Sequence, residues 1–483
     1  MYQTKTIVSL KQKTLLGVFW SSIERFSVQG FQFLIQIVMA RILLPSDYGV
    51  IGILIVFLAI SQSIIDSGFS NALIQKKNRN ELDYSTVFYF NIAIGIFLYA
   101  LLFFLSPFIA SFYNNPVLEP VMKVISINLL IYSLAVVPKA KLAVCIDFKT
   151  QAKASVLGVV FGGTVGIILA YTGYGVWAIV IQATVGAFIE TLLLWILIRW
   201  KPLWSFSISS FKSLFSYGSK LLFSGLLETI YRHLYILVIG KKFPTQDLGF
   251  YTRGELFTQF PSSNLSIIMS RVSFPVLSEF QDDNEKLKYY YRKYLRASVY
   301  IIFPLMTGLC VLAEPLVSLV LTDKWLPCVA LMQILCFAYI WFPIHTINLE
   351  LLQVKGRSDL FLRLEIIKKI VGVIVLIITI PWGIKVMCGG LVFSSFISLF
   401  INSHYTKRVI GMGLSVQMKE LLPIILLSFS MGGLVYGVGL LFTSSALQLF
   451  VGTTVGIIYY VVVSRIFKQN EVLDLLLSVK NKI

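Results

Sequence analysis

The chain has 483 residues, of which 57% are hydrophobic and only 13% charged, with a formal net charge of +18. A soluble globule carries about a quarter charged residues, so this composition excludes one and describes a polytopic membrane protein. Its five cysteines, Cys145, Cys310, Cys328, Cys336 and Cys388, form no CxxC pair and read as packed small residues.

The first apolar run starts after Leu15 and continues to Met39. It is too long for the core of a secretory signal and reads as a retained span. Spans are predicted at about 15 to 41, 48 to 74, 84 to 112, 119 to 137, 154 to 171 and 176 to 198. A second set follows at about 213 to 239, 251 to 275, 297 to 321, 328 to 352, 364 to 381 and 387 to 403, with two more at about 420 to 442 and 447 to 464. The expected fold is therefore all-α, with about 14 transmembrane helices arranged as six, six and two. The N-terminal lobe takes 1–205, the second lobe 206–410, and two additional spans with a tail 411–483.

Leu43-Leu44-Pro45-Ser46-Asp47-Tyr48-Gly49 joins the first two spans. Pro45 bars helix continuation there, and Asp47 is placed to cap the next helix. Phe243-Pro244-Thr245-Gln246-Asp247-Leu248-Gly249 repeats the hairpin, with Asp and Gly 200 residues further on. Six spans separate the copies, so both enter the membrane in the same direction. Parallel repeats of this kind have a pseudo-twofold axis along the membrane normal and a substrate cavity between the lobes.

Orientation follows from Lys and Arg. With the N-terminus inside, inner segments hold 28 of the 41 basic residues, from Lys5, Lys11 and Lys13 to Lys480 and Lys482. Outer segments hold only Arg41, Lys241, Lys242, Lys324 and Lys385. Both termini are thus expected in the cytoplasm. The positive charge faces anionic lipid headgroups, and no nucleic-acid partner is needed to explain it.

Polar residues inside the spans mark faces that lipid should not touch. Arg25, Gln29, Gln32 and Gln36 in the first span are spaced by four, three and four, on one helical face. Gln62, Asp66 and Ser70 do the same in the second span. In the second set, Lys220, Ser224, Glu228, Arg232 and Tyr235 share one face, and Gln259, Ser262, Ser266 and Ser270 another, with Arg253 and Arg271 towards its two ends. Arg25 and Asp66 lie at similar depth, roughly 12 to 15 Å from the inner face, where they are placed to pair. Glu228 and Arg232, one turn apart, are placed likewise.

Glu190, Glu314, Glu350, Glu365, Lys368 and Lys369 are single charges on otherwise apolar segments, with Glu365 and Lys369 spaced as an i,i+4 pair. The run Tyr289-Tyr290-Tyr291-Arg292-Lys293-Tyr294 reads as an interfacial helix on the inner leaflet. His233, His345 and His404 stand far apart with no carboxylate at metal spacing. Gly162-Gly163-Thr164-Val165-Gly166, Gly389-Gly390 and Gly432-Gly433 read as close-packing positions. Neither a GxxxxGK[ST] phosphate loop nor a GxSxG elbow is found, and no loop is long enough for a soluble catalytic domain. No enzyme activity and no cofactor is expected; transport draws on an ion gradient or on that of the substrate.

Ala40-Arg41-Ile42-Leu43-Leu44-Pro45-Ser46-Asp47-Tyr48-Gly49, then Asp66-Ser67-Gly68-Phe69 and Ala72-Leu73-Ile74-Gln75, resemble the opening of bacterial polysaccharide transporters of the Wzx type. Gly173-Tyr174-Gly175-Val176-Trp177-Ala178, Leu248-Gly249-Phe250-Tyr251-Thr252-Arg253 and Phe274-Pro275-Val276-Leu277-Ser278 continue the resemblance. It covers the first 280 residues well and the rest by topology. The resemblance implies the multidrug/oligosaccharidyl-lipid/polysaccharide exporter superfamily. It also implies a flippase that moves a polyprenyl-diphosphate-linked oligosaccharide across the bacterial inner membrane for surface or exported polysaccharide, alongside other polysaccharide assembly proteins. Placement in this sequence makes Arg25, Arg232, Arg253 and Arg271 candidate diphosphate contacts, because guanidinium matches phosphate oxygens. Gln29, Gln32, Gln36, Gln62, Lys220 and Gln259 complete the candidate cavity, and Asp66 and Glu228 are candidates for a coupling proton or sodium ion. An organic-cation antiporter of the same superfamily is the first alternative, though the slightly basic polar faces favour an anionic substrate. A membrane glycan polymerase or ligase is the second.

Overall fold

The computed structural model describes residues 10–66 and 68–467. Among these the chain is helical throughout, with no strand. It forms two compact units that divide after Gly249. Large apolar side chains such as Phe104 and Phe108 of unit 1 and Phe400 and Phe450 of unit 2 stand exposed. Surfaces of this kind need lipid, not water, against them.

Unit 1 contains α1 (Leu10–Ile42), α2 (Pro45–Asp66), α3 (Phe69–Gln75), α4 (Glu81–Phe112), α5 (Leu118–Ile125), α6 (Ile127–Cys145), α7 (Phe148–Tyr171), α8 (Val176–Ile198), α9 (Ile208–Arg232) and α10 (Leu234–Lys242). Asp47 works from inside the first turn of α2, where its carboxylate accepts the Leu44 N–H at 2.9 Å. Pro45, the first residue of that helix, has no N–H to leave unpaired. Helix α7 packs against α8 through Gly162 and Gly166, while Gly163 faces Ile35 of α1. A Cβ on Gly162 would lie 2.8 Å from the Gly186 Cα, so only glycine allows this approach.

Helix α4 opens with a complete capping box. The Asn80 side chain accepts the Asp83 N–H at 2.9 Å, and Asp83 accepts the Asn80 N–H at 3.0 Å. Asp83 is fully buried and is also held by Lys76 at 2.7 Å. Asn80→Ala is expected to cost about 1 kcal/mol, read as a lowered heat-unfolding midpoint of purified protein in detergent. An unchanged midpoint would mean that the turn is held by Lys76 alone.

The chain continues through α11 (Thr245–Glu279), whose first turn belongs to unit 1 and the rest to unit 2. Unit 2 also holds α12 (Asn284–Val311), α13 (Ala313–Leu321), α14 (Pro327–Tyr339), α15 (Phe342–Val354), α16 (Ser358–Thr379), α17 (Ile384–Ile410), α18 (Leu414–Gly439) and α19 (Ser445–Ile466). Its core gathers Tyr291, Val299, Phe303, Ile344, Leu351 and Leu421 from α12, α15 and α18.

Two expectations change here. The tyrosine run is not a separate interfacial helix; it forms early turns of α12, with Tyr291 and Tyr294 buried. No break separates it from the following span, and the Tyr291 hydroxyl donates to Asn348 Oδ1 at 2.8 Å, so tertiary packing claims these rings. The count of fourteen spans is not confirmed either. Among the described residues ten helices or joined helices are long and apolar enough to cross a membrane, or eleven when α9 and α10, bent by 41° at His233, count as one. Helices α1, α11 and α16 are long enough but too polar: Arg25 and three glutamines lower the first, hydroxyl and charged residues the second, and Arg363, Glu365, Lys368 and Lys369 the third.

Candidate functional site

In unit 1 the predicted face of α1 is present, with Arg25, Gln29 and Gln36 half-buried and Gln32 exposed. Asp66 accepts a hydrogen bond from the Ser70 hydroxyl at 2.6 Å, one turn on. Among the described residues no ion pair joins Arg25 to Asp66. The second expected pair is formed: Arg232, exposed, lies 3.6 Å from the half-buried Glu228. The side chain of Lys220 lies outside the described residues.

Gln62 faces a cavity of about 290 Å³ between α2, α6 and α8, which Asn128, Tyr132, Lys139 and Glu190 also line. Behind this cavity lies a polar network that sequence reasoning missed. Lys139 of α6 pairs with Glu190 of α8 at 2.8 Å. The Ser155 hydroxyl of α7 sits 2.8 Å from the same Glu190 oxygen and 3.2 Å from Glu24 Oε1 of α1, and Gln151 Nε2 donates to Glu24 at 3.1 Å. Four helices thus meet on two carboxylates, one hydroxyl and one ammonium. Lys139, Glu190 and Glu24 lie on three different helices, and only Gln151 and Ser155 share one, so no i,i+4 pairing of opposite charges announces the group.

In unit 2 Arg253 is 7% exposed, with its guanidinium over the fully buried Trp325 ring at 6.0 Å. Two residues further along α11, Glu255 accepts hydrogen bonds from the hydroxyls of Tyr251 and Tyr339, each at 3.0 Å. Gln259 is half-buried on the same helix. Arg271 is exposed and lines a cavity of about 530 Å³ between α11 and α15, with Ser270, Thr346, Glu350 and Gln353. In the first half of α16, Glu365 pairs with Lys368, three residues on.

These surfaces offer cationic, carboxylate, amide and hydroxyl groups in both units. A family profile described as "Polysaccharide biosynthesis protein" matches residues 38–330. The chain belongs to this polysaccharide biosynthesis family. The lipopolysaccharide biosynthesis protein WzxC of Escherichia coli is 24% identical over 442 residues, covering 88% of this chain and 89% of that protein. The teichuronic acid biosynthesis protein TuaB of Bacillus subtilis is 23% identical over 447 residues, covering 89% and 90%. Among solved structures, the lipid II flippase MurJ in an inward closed conformation aligns with a TM-score of 0.77 at 17% identity, over 94% of this chain and 99% of that one. An inward-facing multidrug resistance MATE transporter follows at 0.61 and 15%, over 83% and 99%. This member of the polysaccharide biosynthesis family therefore has the all-helical fold of those transporters, as the resemblance to Wzx-type proteins implied.

Proposed function

We propose that this protein is a secondary transporter that flips a polyprenyl-diphosphate-linked oligosaccharide across the bacterial inner membrane for surface or exported polysaccharide. The observation that carries this reading is that membership in a polysaccharide biosynthesis family, matched over residues 38–330, coincides with the fold of a lipid II flippase over 94% of the chain. The substrate's diphosphate and sugars need a polar path, while its lipid tail stays in the bilayer. Arg25, Arg232 and Arg271 are the proposed phosphate contacts, and Gln29, Gln32, Gln36, Gln62 and Gln259 supply amide partners for sugar hydroxyls. Arg253 reaches a phosphate only by leaving Trp325. Asp66 and Glu228 remain the proposed proton or sodium sites, with no cofactor and no enzymatic step.

The bias of Lys and Arg supports cytoplasmic termini. The repeated hairpin supports lobes over 1–205 and 206–410 with an appended 411–483. Grouping by contact differs from this division, since it places α9 and α10 with unit 1.

A drug antiporter is the second reading, favoured by the likeness to the MATE transporter. The two are separated by the sidedness of lipid-linked glycan in cells lacking this protein, probed with a membrane-impermeant glycosidase on intact spheroplasts. A protected inner-leaflet glycan-lipid is the expected result. Glycan that still reaches the outer leaflet, with increased drug sensitivity, would replace the flippase by the antiporter.

A further inference from the structure

Among the described carboxylates of unit 2 only Glu350 is a buried residue, although Glu420 also has one oxygen closed off without a hydrogen bond. Glu350 sits in α15 with 4% of its surface exposed, and its Oε2 accepts the Ser273 hydroxyl at 2.6 Å. Its Oε1 is shut off from solvent and accepts no hydrogen bond. The Ser270 hydroxyl also faces this carboxylate without closing a bond to Oε1. A buried acceptor left in this state costs free energy that an apolar residue at the same place would not.

The same side chain forms part of the wall of the cavity of about 530 Å³ between α11 and α15. That volume lies in the range of about 300 to 1,000 Å³ typical of small-ligand sites. Two aromatic residues, Phe274 and Phe342, two hydroxyl residues, Ser270 and Thr346, and one arginine, Arg271, also line it. A bare cation suits this lining poorly, because one carboxylate is offered and Arg271 brings a like charge into the same space. A sugar suits it well: its C–H face lies on a ring and its hydroxyls donate to carboxylate oxygen, while an attached phosphate meets the arginine fork.

From this juxtaposition we infer that the cavity between α11 and α15 holds the sugar next to the diphosphate of a lipid-linked glycan. Glu350, its carboxylate turned from Ser273 into the cavity, accepts one of its hydroxyls, and Arg271 binds the adjoining phosphate. The inference rests on the flippase reading and adds the residue that reads sugar instead of phosphate.

Two probes test it by native mass spectrometry of the full-length protein in detergent: glycan-lipid purified from cells lacking the protein, and bare undecaprenyl diphosphate. Wild-type protein is expected to prefer the glycan-lipid. Glu350→Gln removes the charge at constant shape; it is expected to weaken glycan-lipid binding about tenfold, the scale of one charge-assisted hydrogen bond, and to leave the bare lipid unchanged. Arg271→Gln is expected to weaken both probes. Equal weakening of both by Glu350→Gln, or of neither, overturns the inference. If that variant does not fold, Ser270→Leu fills the cavity from α11 with Glu350 in place and is expected to give the same selective loss; unchanged glycan binding there overturns it too. Wild-type protein that binds neither probe would sink the flippase reading along with the inference, whereas equal binding of both would sink only the assignment of this cavity to the sugar.

Discussion

Gly49→Ala and Gly249→Ala are each expected to force the two repeated hairpins apart and to lower the heat-unfolding midpoint in detergent. A Cβ on Gly49 would fall 1.8 Å from the Thr245 carbonyl oxygen, and one on Gly249 would fall 1.9 Å from that of Pro45. Neither distance is tolerable, and in both the obstructing atom is backbone, which no rotamer change can remove. Each substitution should therefore cost near the top of the range for overpacking, about 3 kcal/mol. The contacts are reciprocal: each hairpin sets its glycine against the backbone of the other. A separation made for one added methyl therefore also relieves the second, and the double variant should cost little more than either single one. Midpoints of the two single variants and the double one give the coupling directly. Strictly additive losses would mean that the contacts do not belong to one interface. A cysteine placed at Ser46 supplies a second readout, since its labelling by an impermeant maleimide should rise in all three backgrounds. Further bonds seat the second hairpin on this unit. Asn115 Nδ2 donates to Thr245 Oγ1 at 3.3 Å, and the Lys241 ammonium reaches the Phe112 carbonyl while lying 4.3 Å from its ring.

The pairing of these hairpins was half legible in the sequence. Pro, Asp and Gly at matching positions declare two similar turns, because each residue type answers a local backbone need. That the two glycines are kept to let the turns touch is a tertiary fact, invisible to local rules. The same limit governs the site residues. Arg25, Gln29, Gln32 and Gln36 are legible as one face because helical spacing alone brings them together. Glu24 and Glu190 are not, since their link runs through Ser155 on a third helix, 131 residues from one and 35 from the other. Glu350 reads as an isolated charge on an apolar helix, yet its partner Ser273 lies 77 residues earlier. Polarity also works against the span count, because the faces that make α1 and α11 interesting are what lower their apolar character below that of their neighbours.

Lys139→Met tests whether the missed network bears on stability. Lys139 supplies the only positive charge to Glu190 among the contacts of the group, at 2.8 Å. Methionine keeps the length of the side chain and removes that charge. What remains is two carboxylates around Ser155, whose single hydroxyl proton can serve Glu190 at 2.8 Å or Glu24 at 3.2 Å but not both. The loss is expected at about 2 kcal/mol, below the 3 to 5 kcal/mol of a fully buried pair because both partners keep some exposure. Glu190→Gln introduced alongside Lys139→Met removes the orphaned charge while keeping an acceptor for Ser155, so the double variant should recover most of the midpoint. A Lys139→Met protein as stable as wild type would make the pair a solvated contact at the cavity wall. A double variant no better than the single one would place the cost in the lost packing of the lysine stem instead of in the charge it neutralises.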